Sequence, residues 1–252
     1  MLRTRIIPVL LLHNKSLVKT KKFNKFQYIG DPVNTARIFN ELEVDELCIL
    51  DISSTRFRRE PNFNLISVLA SECFMPLSYG GGITNFNQAK KLYETGFEKV
   101  IINSAAYCTP ELITEITQTY GNQAVIVSLD VGRSVWGRKQ LRSHGGKTRH
   151  SVTPIDWARK MEDRGAGELL LTSIIHEGTY GGFDCETISE ICSAVDIPVI
   201  AHGGAGSLQD IRIAVDCGAS AVALGSMVVF QKQGSGVLVN FPDPNALTKV
   251  LS

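Results

Sequence analysis

The stretch Ile197-Pro-Val-Ile-Ala-His-Gly-Gly-Ala-Gly-Ser207 decides the fold, because Met75-Pro-Leu-Ser-Tyr-Gly-Gly-Gly-Ile-Thr84 carries the same apolar run and glycines 122 positions earlier. Glu168-Leu-Leu-Leu-Thr-Ser173 repeats Glu46-Leu-Cys-Ile-Leu-Asp51 at the same spacing, and segment 125–130 repeats segment 6–11 at a spacing of 119. A repeat at a nearly fixed spacing predicts two structurally similar halves. The halves are approximately 1–122 and 123–252.

Apolar runs alternate along the chain with amphipathic segments of helical length. The runs are continuous rather than alternating, which predicts parallel strands covered on both faces. They fall at 5–12, 46–51, 75–79, 99–103, 124–130, 168–172, 198–202 and 221–225. The helical segments include 32–43, 87–95, 110–120, 154–164, 185–194 and 208–217.

Eight strand–helix units in 252 residues predict a (β/α)8 TIM barrel, built from two fused half-barrels and forming one domain over 1–252. A doubly wound sheet is the alternative. It does not explain two equal halves, and no G-x-G-x-x-G motif opens a helix after the first strand. Segment 131–153 is a long excursion after the fifth strand, and we expect it to carry a short hairpin at the site-bearing face.

Composition excludes several classes of function. A net charge of +1 argues against a general nucleic-acid binder, and no apolar run is long enough to span a membrane. The six cysteines include no C-x-x-C pair, which favours reduced, mostly buried thiols in a cytoplasmic protein. The histidines are scattered without metal-ligand spacing, so we expect neither a metal nor a cofactor.

Glycines follow two of the predicted strands at equivalent places in the two halves. Gly80-Gly-Gly-Ile83 is followed at the next strand end by Asn103-Ser104, and His202-Gly-Gly-Ala-Gly206 is followed by Gly225-Ser226. Glycines allow backbone N–H groups to approach a phosphate closely. We therefore predict two phosphate sites at the barrel mouth, although tight turns alone also use glycine. A lysine cluster at 15–25 is either a solvated loop or a loop that meets the phosphorylated ligand.

Polar side chains at the strand ends are the candidates for chemistry. Asp51 and Asp130 end their strands, where they would act as acids, bases or hydroxyl-binding groups, or would only cap a loop. Leu11 stands at the position equivalent to Asp130 and can exchange no proton. His176 and Glu177 are expected to be polar and exposed at the same rim.

Four charges occupy the opposite ends of the strands. Arg5, Glu46, Lys99 and Glu168 begin the first, second, fourth and sixth predicted strands. Strand starts converge on the N-terminal face of a barrel. We expect these side chains to form a ring of salt bridges across the barrel floor, or surface pairs of little energetic value.

These motifs together resemble the cyclase subunit (HisF) family of imidazole glycerol phosphate synthase over essentially the whole chain. The resemblance rests on Arg5-Ile-Ile-Pro8, Lys19, Gly30-Asp-Pro-Val33, Leu50-Asp-Ile52, Gly80-Gly-Gly-Ile83, Ile102-Asn-Ser-Ala-Ala106, Leu171-Thr-Ser173 and Ile200-Ala-His-Gly-Gly-Ala-Gly206. It implies a barrel that receives ammonia from a HisH-like glutaminase on its N-terminal face. The ammonia reacts with a bis-phosphorylated ribulosyl imidazole-carboxamide nucleotide.

The resemblance also implies a role for individual residues. It assigns the ammonia gate to Arg5, Glu46, Lys99 and Glu168. It assigns one phosphate site to Gly82, Asn103 and Ser104, and the other to Gly178, Gly204, Gly225 and Ser226. Lys19 matches a loop lysine that closes over substrate, Asp51 is taken as a substrate-binding residue, and Asp130 matches one of two catalytic aspartates.

The chain departs from the family pattern at the other catalytic aspartate. The family pattern Leu-Asp-Val-x-Asp-Gly reads Leu10-Leu-Leu-His-Asn-Lys15, so Leu11 replaces the aspartate. Ile175 replaces an acidic residue and Glu177 replaces an aspartate. A general acid or base contributes roughly 10²–10⁴-fold, so we expect at best a slow cyclase.

Three hypotheses follow. In the first, the chain is a HisF-like subunit that receives ammonia and binds a phosphorylated ligand, supplying nitrogen for surface-polysaccharide sugars beside a sugar amidotransferase. In the second, it is a genuine cyclase of histidine biosynthesis in which His13 or His176 assists Asp130. In the third, it is a non-catalytic scaffold for a glutaminase and a synthetase.

Overall fold

A closed ring of eight parallel strands forms the centre of the molecule. The computed structural model describes residues 4–231, 234 and 236–251. The strands in this part of the chain are β1 (Arg5–His13), β2 (Ser16–Lys21), β3 (Asn24–Gly30), β4 (Leu47–Asp51), β5 (Leu77–Gly80), β6 (Lys99–Ile102), β7 (Val125–Arg133), β8 (Lys139–Ser143), β9 (Thr148–Arg149), β10 (Glu168–Ser173), β11 (Val199–His202) and β12 (Ala221–Leu224).

The barrel runs in the order β1, β4, β5, β6, β7, β10, β11, β12 and closes by parallel pairing of β12 with β1. The (β/α)8 fold is therefore confirmed, and the eight predicted runs match the eight barrel strands to within about three residues at each end. The origin of the two halves by fusion stays a prediction.

Helices cover the outside of the barrel. They are α1 (Pro32–Glu41), α2 (Ser54–Phe57), α3 (Phe63–Glu72), α4 (Phe86–Thr95), α5 (Ser104–Cys108), α6 (Glu111–Tyr120), α7 (Pro154–Asp163), α8 (Cys185–Cys192), α9 (Leu208–Asp216) and α10 (Pro244–Leu251). Sequence signals set several ends: the Thr153 side chain accepts from the Asp156 N–H before Pro154, and Gly96 ends α4 with φ of +108°. Four helices, α2, α3, α5 and α10, fall outside the helical segments named from the sequence.

Two apolar layers hold the barrel together. The larger layer lies between the strands and the helices, where Phe39, Leu69 and Ile113 are fully buried. The smaller layer fills the barrel itself with side chains such as Ile7, Val9 and Ile126. The interior of the barrel is thus mainly apolar, as is usual for barrels of this size.

Two hairpins stand on the C-terminal face. Antiparallel pairing of β7 with β8 and of β8 with β9 confirms the hairpin expected in 131–153. The lysine cluster was expected in a loop, which is wrong: it lies on the hairpin that β2 and β3 form against β1. Of the cysteines, all free in the described part of the chain, only Cys48 is buried, so the expectation of mostly buried thiols is also wrong.

Candidate functional site

A cavity of about 910 Å³ opens at the C-terminal ends of the strands. This volume suits a metabolite-sized ligand. Its lining combines predicted site residues from both halves of the chain, namely Leu11, Asp51, Gly82, Asn103, Ser104 and Asp130. The fold therefore brings these residues together around one cavity, and their roles stay predictions.

Asp130 has the environment of a group that exchanges protons near neutral pH. It lies on β7 at the cavity wall, where burial raises the pKa of its carboxyl to about 7, and a hydrogen bond from the Ser128 hydroxyl at 3.1 Å opposes the shift. A carboxyl group with this pKa can either give or take a proton under physiological conditions.

Leu11 lies on the far side of the barrel from Asp130. Strands β1 and β7 are four strands apart in either direction around the ring. The Leu11 side chain is only 8% exposed and lines the cavity together with Asp130. The wall facing Asp130 is therefore apolar at this position.

Asp51 lies in the cavity wall, but its carboxylate already has several partners. The backbone N–H and hydroxyl groups of Ser53 and Ser54 donate to it at 2.6–3.0 Å. These contacts match the loop-capping alternative. Substrate binding by Asp51 stays a prediction.

The first cradle, formed by Gly82, Asn103 and Ser104, lines the cavity. The Asn103 amide donates to the Ser128 carbonyl oxygen at 3.1 Å, and the Ser104 hydroxyl accepts from the His144 N–H at 3.0 Å. Gly82 has a φ of +73°, which disfavours any side chain there. The hairpin of β8 and β9 thus reaches the cradle through His144.

The second cradle, formed by Gly178, Gly204, Gly225 and Ser226, is absent from the described lining of the cavity. The loop after β10 packs on it: the Gly182 N–H donates to the Gly204 carbonyl at 3.0 Å, and the Tyr180 hydroxyl donates to the Ser226 carbonyl at 3.3 Å. The two predicted phosphate sites therefore differ in their access to the cavity.

Lys19 is buried rather than extended over the cavity. Its ammonium group donates to the Val9 carbonyl oxygen inside the barrel. Burial lowers the pKa of Lys19 to about 8, although the carboxylate of Glu177 opposes this shift. Burial, with a further effect of Lys19, lowers the pKa of His202 to about 3, so this histidine is neutral.

Glu177 was expected to be exposed, which is wrong. Its side chain is buried and accepts from the Thr20 hydroxyl at 2.9 Å and from the Phe23 N–H at 3.0 Å. Glu177 therefore fastens the hairpin of β2 and β3 to the loop after β10. His176 is half-buried with its Nδ1 2.8 Å from the Ser173 hydroxyl, and neither His176 nor His13 lines the cavity.

The charged ring, formed by Arg5, Glu46, Lys99 and Glu168, closes the opposite end of the barrel. Arg5 donates to both carboxylates at 2.8 Å, and Lys99 donates to both at 2.9–3.0 Å. Glu46 and Glu168 are buried. The contacts therefore match a ring across the floor rather than surface pairs.

Several residues that line the cavity were not predicted from the sequence. They are Arg142 and His144 from the hairpin of β8 and β9, and Arg56, Arg58 and Arg59 from α2 and the residues directly after it. Three arginines within residues 56–59 are a sequence pattern that could have identified this part of the lining. In the described ranges, no three His, Cys, Asp or Glu side chains are placed to hold a metal ion. No helix there has the length and apolarity needed to cross a membrane.

Comparison with known proteins places this barrel in a family. Residues 5–233 match the model of the family described as histidine biosynthesis protein. The chain is 46% identical to the Pseudomonas aeruginosa "Putative imidazole glycerol phosphate synthase subunit hisF2", over 98% of this chain and 99% of that protein. It is 41% identical to the Vibrio vulnificus "Putative imidazole glycerol phosphate synthase subunit hisF3", over 100% of this chain and 97% of that one.

A third relative is the Thermobifida fusca "Imidazole glycerol phosphate synthase subunit HisF". It is 38% identical over 91% of each chain. The family match spans most of the chain, and the relatives are covered nearly end to end. The chain therefore belongs to the histidine biosynthesis protein family, as a member of its HisF group.

Proposed function

We propose that this chain is the ammonia-receiving subunit of a glutamine-dependent amidotransferase and that Leu11 impairs its cyclase chemistry. The observation that carries the proposal is the combination of a complete charged ring at the floor with Leu11 facing Asp130 at the mouth. Ammonia would come from a HisH-like glutaminase docked on the N-terminal face.

The barrel interior supports passage of neutral ammonia. Above the charged ring lie apolar side chains such as Ile7, Ile126 and Leu170. Moving a charged ammonium ion into such surroundings costs far more free energy than moving a neutral molecule. In our proposal, one ion pair of the ring opens to admit ammonia, and the apolar layer excludes ammonium and water.

The mouth of the barrel supports binding of a phosphorylated ligand. The first cradle faces the cavity, and Asp130 lies in the same cavity with a pKa near 7. Asp130 would act as the single proton-exchanging carboxyl group. Its partner across the barrel is missing, so we propose slow cyclisation and delivery of nitrogen to an acceptor in surface-polysaccharide sugar synthesis, with a sugar amidotransferase as further partner.

Reconstitution with the HisH-type glutaminase of the same genome tests this function. We expect complex formation, faster glutamine hydrolysis and little imidazole glycerol phosphate. Lys99→Met should uncouple ammonia transfer from glutamine hydrolysis. Lys90→Met on the exposed face of α4 removes an equal charge and should leave ammonia transfer unchanged. Absence of a complex, or equal transfer by both variants, would refute ammonia reception through the floor.

A genuine cyclase of histidine biosynthesis is the second candidate. It is favoured by the pKa of Asp130 and by the names of the relatives. Expression in a histidine auxotroph that lacks its own HisF discriminates between the two. Growth at a normal rate would favour the cyclase, and failure to grow would favour impaired chemistry.

A further inference from the structure

Three unpaired arginines stand at the mouth of the cavity. Arg56, Arg58 and Arg59 are exposed and contribute to its lining. Some exposed arginines have carboxylate partners, such as Arg37 with Glu72 at 3.0 Å, and others, such as Arg138 and Arg149, lie outside the lining of the cavity. Among residues 4–231, 234 and 236–251, Arg56, Arg58 and Arg59 have no such ion pair. Three neighbouring guanidinium groups without counter-charges repel one another unless an anion joins them.

The loop that carries these arginines packs directly on the first cradle. The Gly82 N–H donates to the Thr55 hydroxyl at 3.2 Å. A Cβ atom on Gly82 would lie 2.8 Å from both the Arg59 carbonyl oxygen and the Ser54 Cβ. The loop is also tied to itself by the Arg59 N–H, which donates to the Ser54 carbonyl at 2.8 Å. The backbone that carries the three arginines is therefore held in place beside the first cradle.

The carboxylates of the cavity do not balance these charges. The lining contains the carboxyl groups of Asp51, Glu60, Asp130 and Glu177, and in the described part of the chain none of them forms an ion pair with a cation of the lining. Apart from Arg133, which is paired with Asp184 and Glu186, the cations in the lining are more numerous, namely Lys22, Arg56, Arg58, Arg59, Arg142 and Lys147. The lining thus carries more positive than negative groups, which favours an anionic ligand.

We propose that the cavity binds a diphosphate ester. One phosphoryl group would lie on the first cradle, and the adjoining one would meet Arg56, Arg58 and Arg59. Guanidinium groups suit this task because their planar donors bind phosphate oxygens in pairs. The cavity, about 910 Å³ in volume, is large enough to hold the organic part of the ester as well. This inference rests on the phosphate cradle of the proposed function and narrows its ligand.

Calorimetric titration at constant ionic strength tests the inference, with inorganic phosphate, inorganic pyrophosphate and uridine diphosphate as probes. We expect pyrophosphate to bind at least about tenfold more tightly than phosphate, as about one added charge-assisted contact would give. Uridine diphosphate should bind at least as tightly as pyrophosphate. The triple variant R56Q/R58Q/R59Q should abolish the advantage of pyrophosphate and leave phosphate binding unchanged.

The triple variant K90Q/K91Q/K160Q removes the same charge from exposed helical positions and should keep that advantage. The inference would be overturned if pyrophosphate bound no more tightly than phosphate. It would also be overturned if the tighter binding of pyrophosphate survived in R56Q/R58Q/R59Q or disappeared in the lysine control. In those cases phosphate binding would still support the cradle. If none of the three probes binds, the assignment of the first cradle as a phosphate site is refuted as well. If only uridine diphosphate fails to bind, the claim that the ligand is an ester is refuted.

Discussion

Replacing Asp130 with asparagine measures how much the buried carboxylate at the barrel mouth lowers the free energy of unfolding. Burial raises the pKa of this group to about 7, whereas an aspartate in an unfolded chain has a pKa of about 3.9. Between these pH values the folded protein keeps a proton that the unfolded chain has released. The free energy of unfolding therefore falls as the pH rises through this window.

The size of this effect follows from the shift. Three pKa units correspond to about 4 kcal/mol, and partial contact of Asp130 with solvent reduces the expectation to about 2–4 kcal/mol. Asparagine has nearly the same shape and carries no charge. We expect Asp130→Asn to match the wild type near about pH 4 and to be more stable by about 2–4 kcal/mol near about pH 8.

Urea unfolding at several pH values measures this difference. Asp163→Asn on the exposed surface of α7 is the control, and we expect it to change stability by less than about 0.5 kcal/mol. A difference between the wild type and Asp130→Asn that does not vary with pH would refute the reasoning, because only a shifted carboxyl group produces that dependence.

Two further perturbations test the contacts at either end of the barrel. Lys99→Met leaves the two carboxylates of the charged ring with one cation, and urea denaturation should show a loss of about 2–4 kcal/mol; an unchanged midpoint would argue against a strong ring. Glu177→Ala removes the acceptor that fastens the hairpin of β2 and β3, so amide hydrogen exchange there should accelerate. Unchanged protection would contradict the role of Glu177 as a fastener.

Sequence patterns predicted the barrel because each strand is a continuous apolar run that the repeat shows twice. They also predicted that Arg5 and Lys99 share carboxylate partners, because strand starts converge on one face of a barrel. Leu11 and Asp130 could be placed across from each other for the same reason. These predictions need only the order of the strands.

Features that depend on contacts between loops could not be predicted. Glu177 is buried because it meets Thr20, which lies 157 positions away in the chain. Lys19 becomes buried only because β2 folds back on β1, and nothing in its neighbouring residues indicates that pairing. The contact of the Tyr180 hydroxyl with the Ser226 carbonyl oxygen of the second cradle likewise arises from the path of one loop.

Leu11→Asp tests the central claim, that this barrel keeps the route and the cavity for ammonia but lacks one proton-exchanging group. Cyclase turnover is measured with ammonium salts and the ribulosyl nucleotide, with Leu11→Asn as the control that adds polarity without an ionisable group. We predict a slow wild type and a gain of roughly 10²–10⁴-fold for Leu11→Asp alone. A wild type that already turns over rapidly, or a variant Leu11→Asp that gains nothing, would contradict the account.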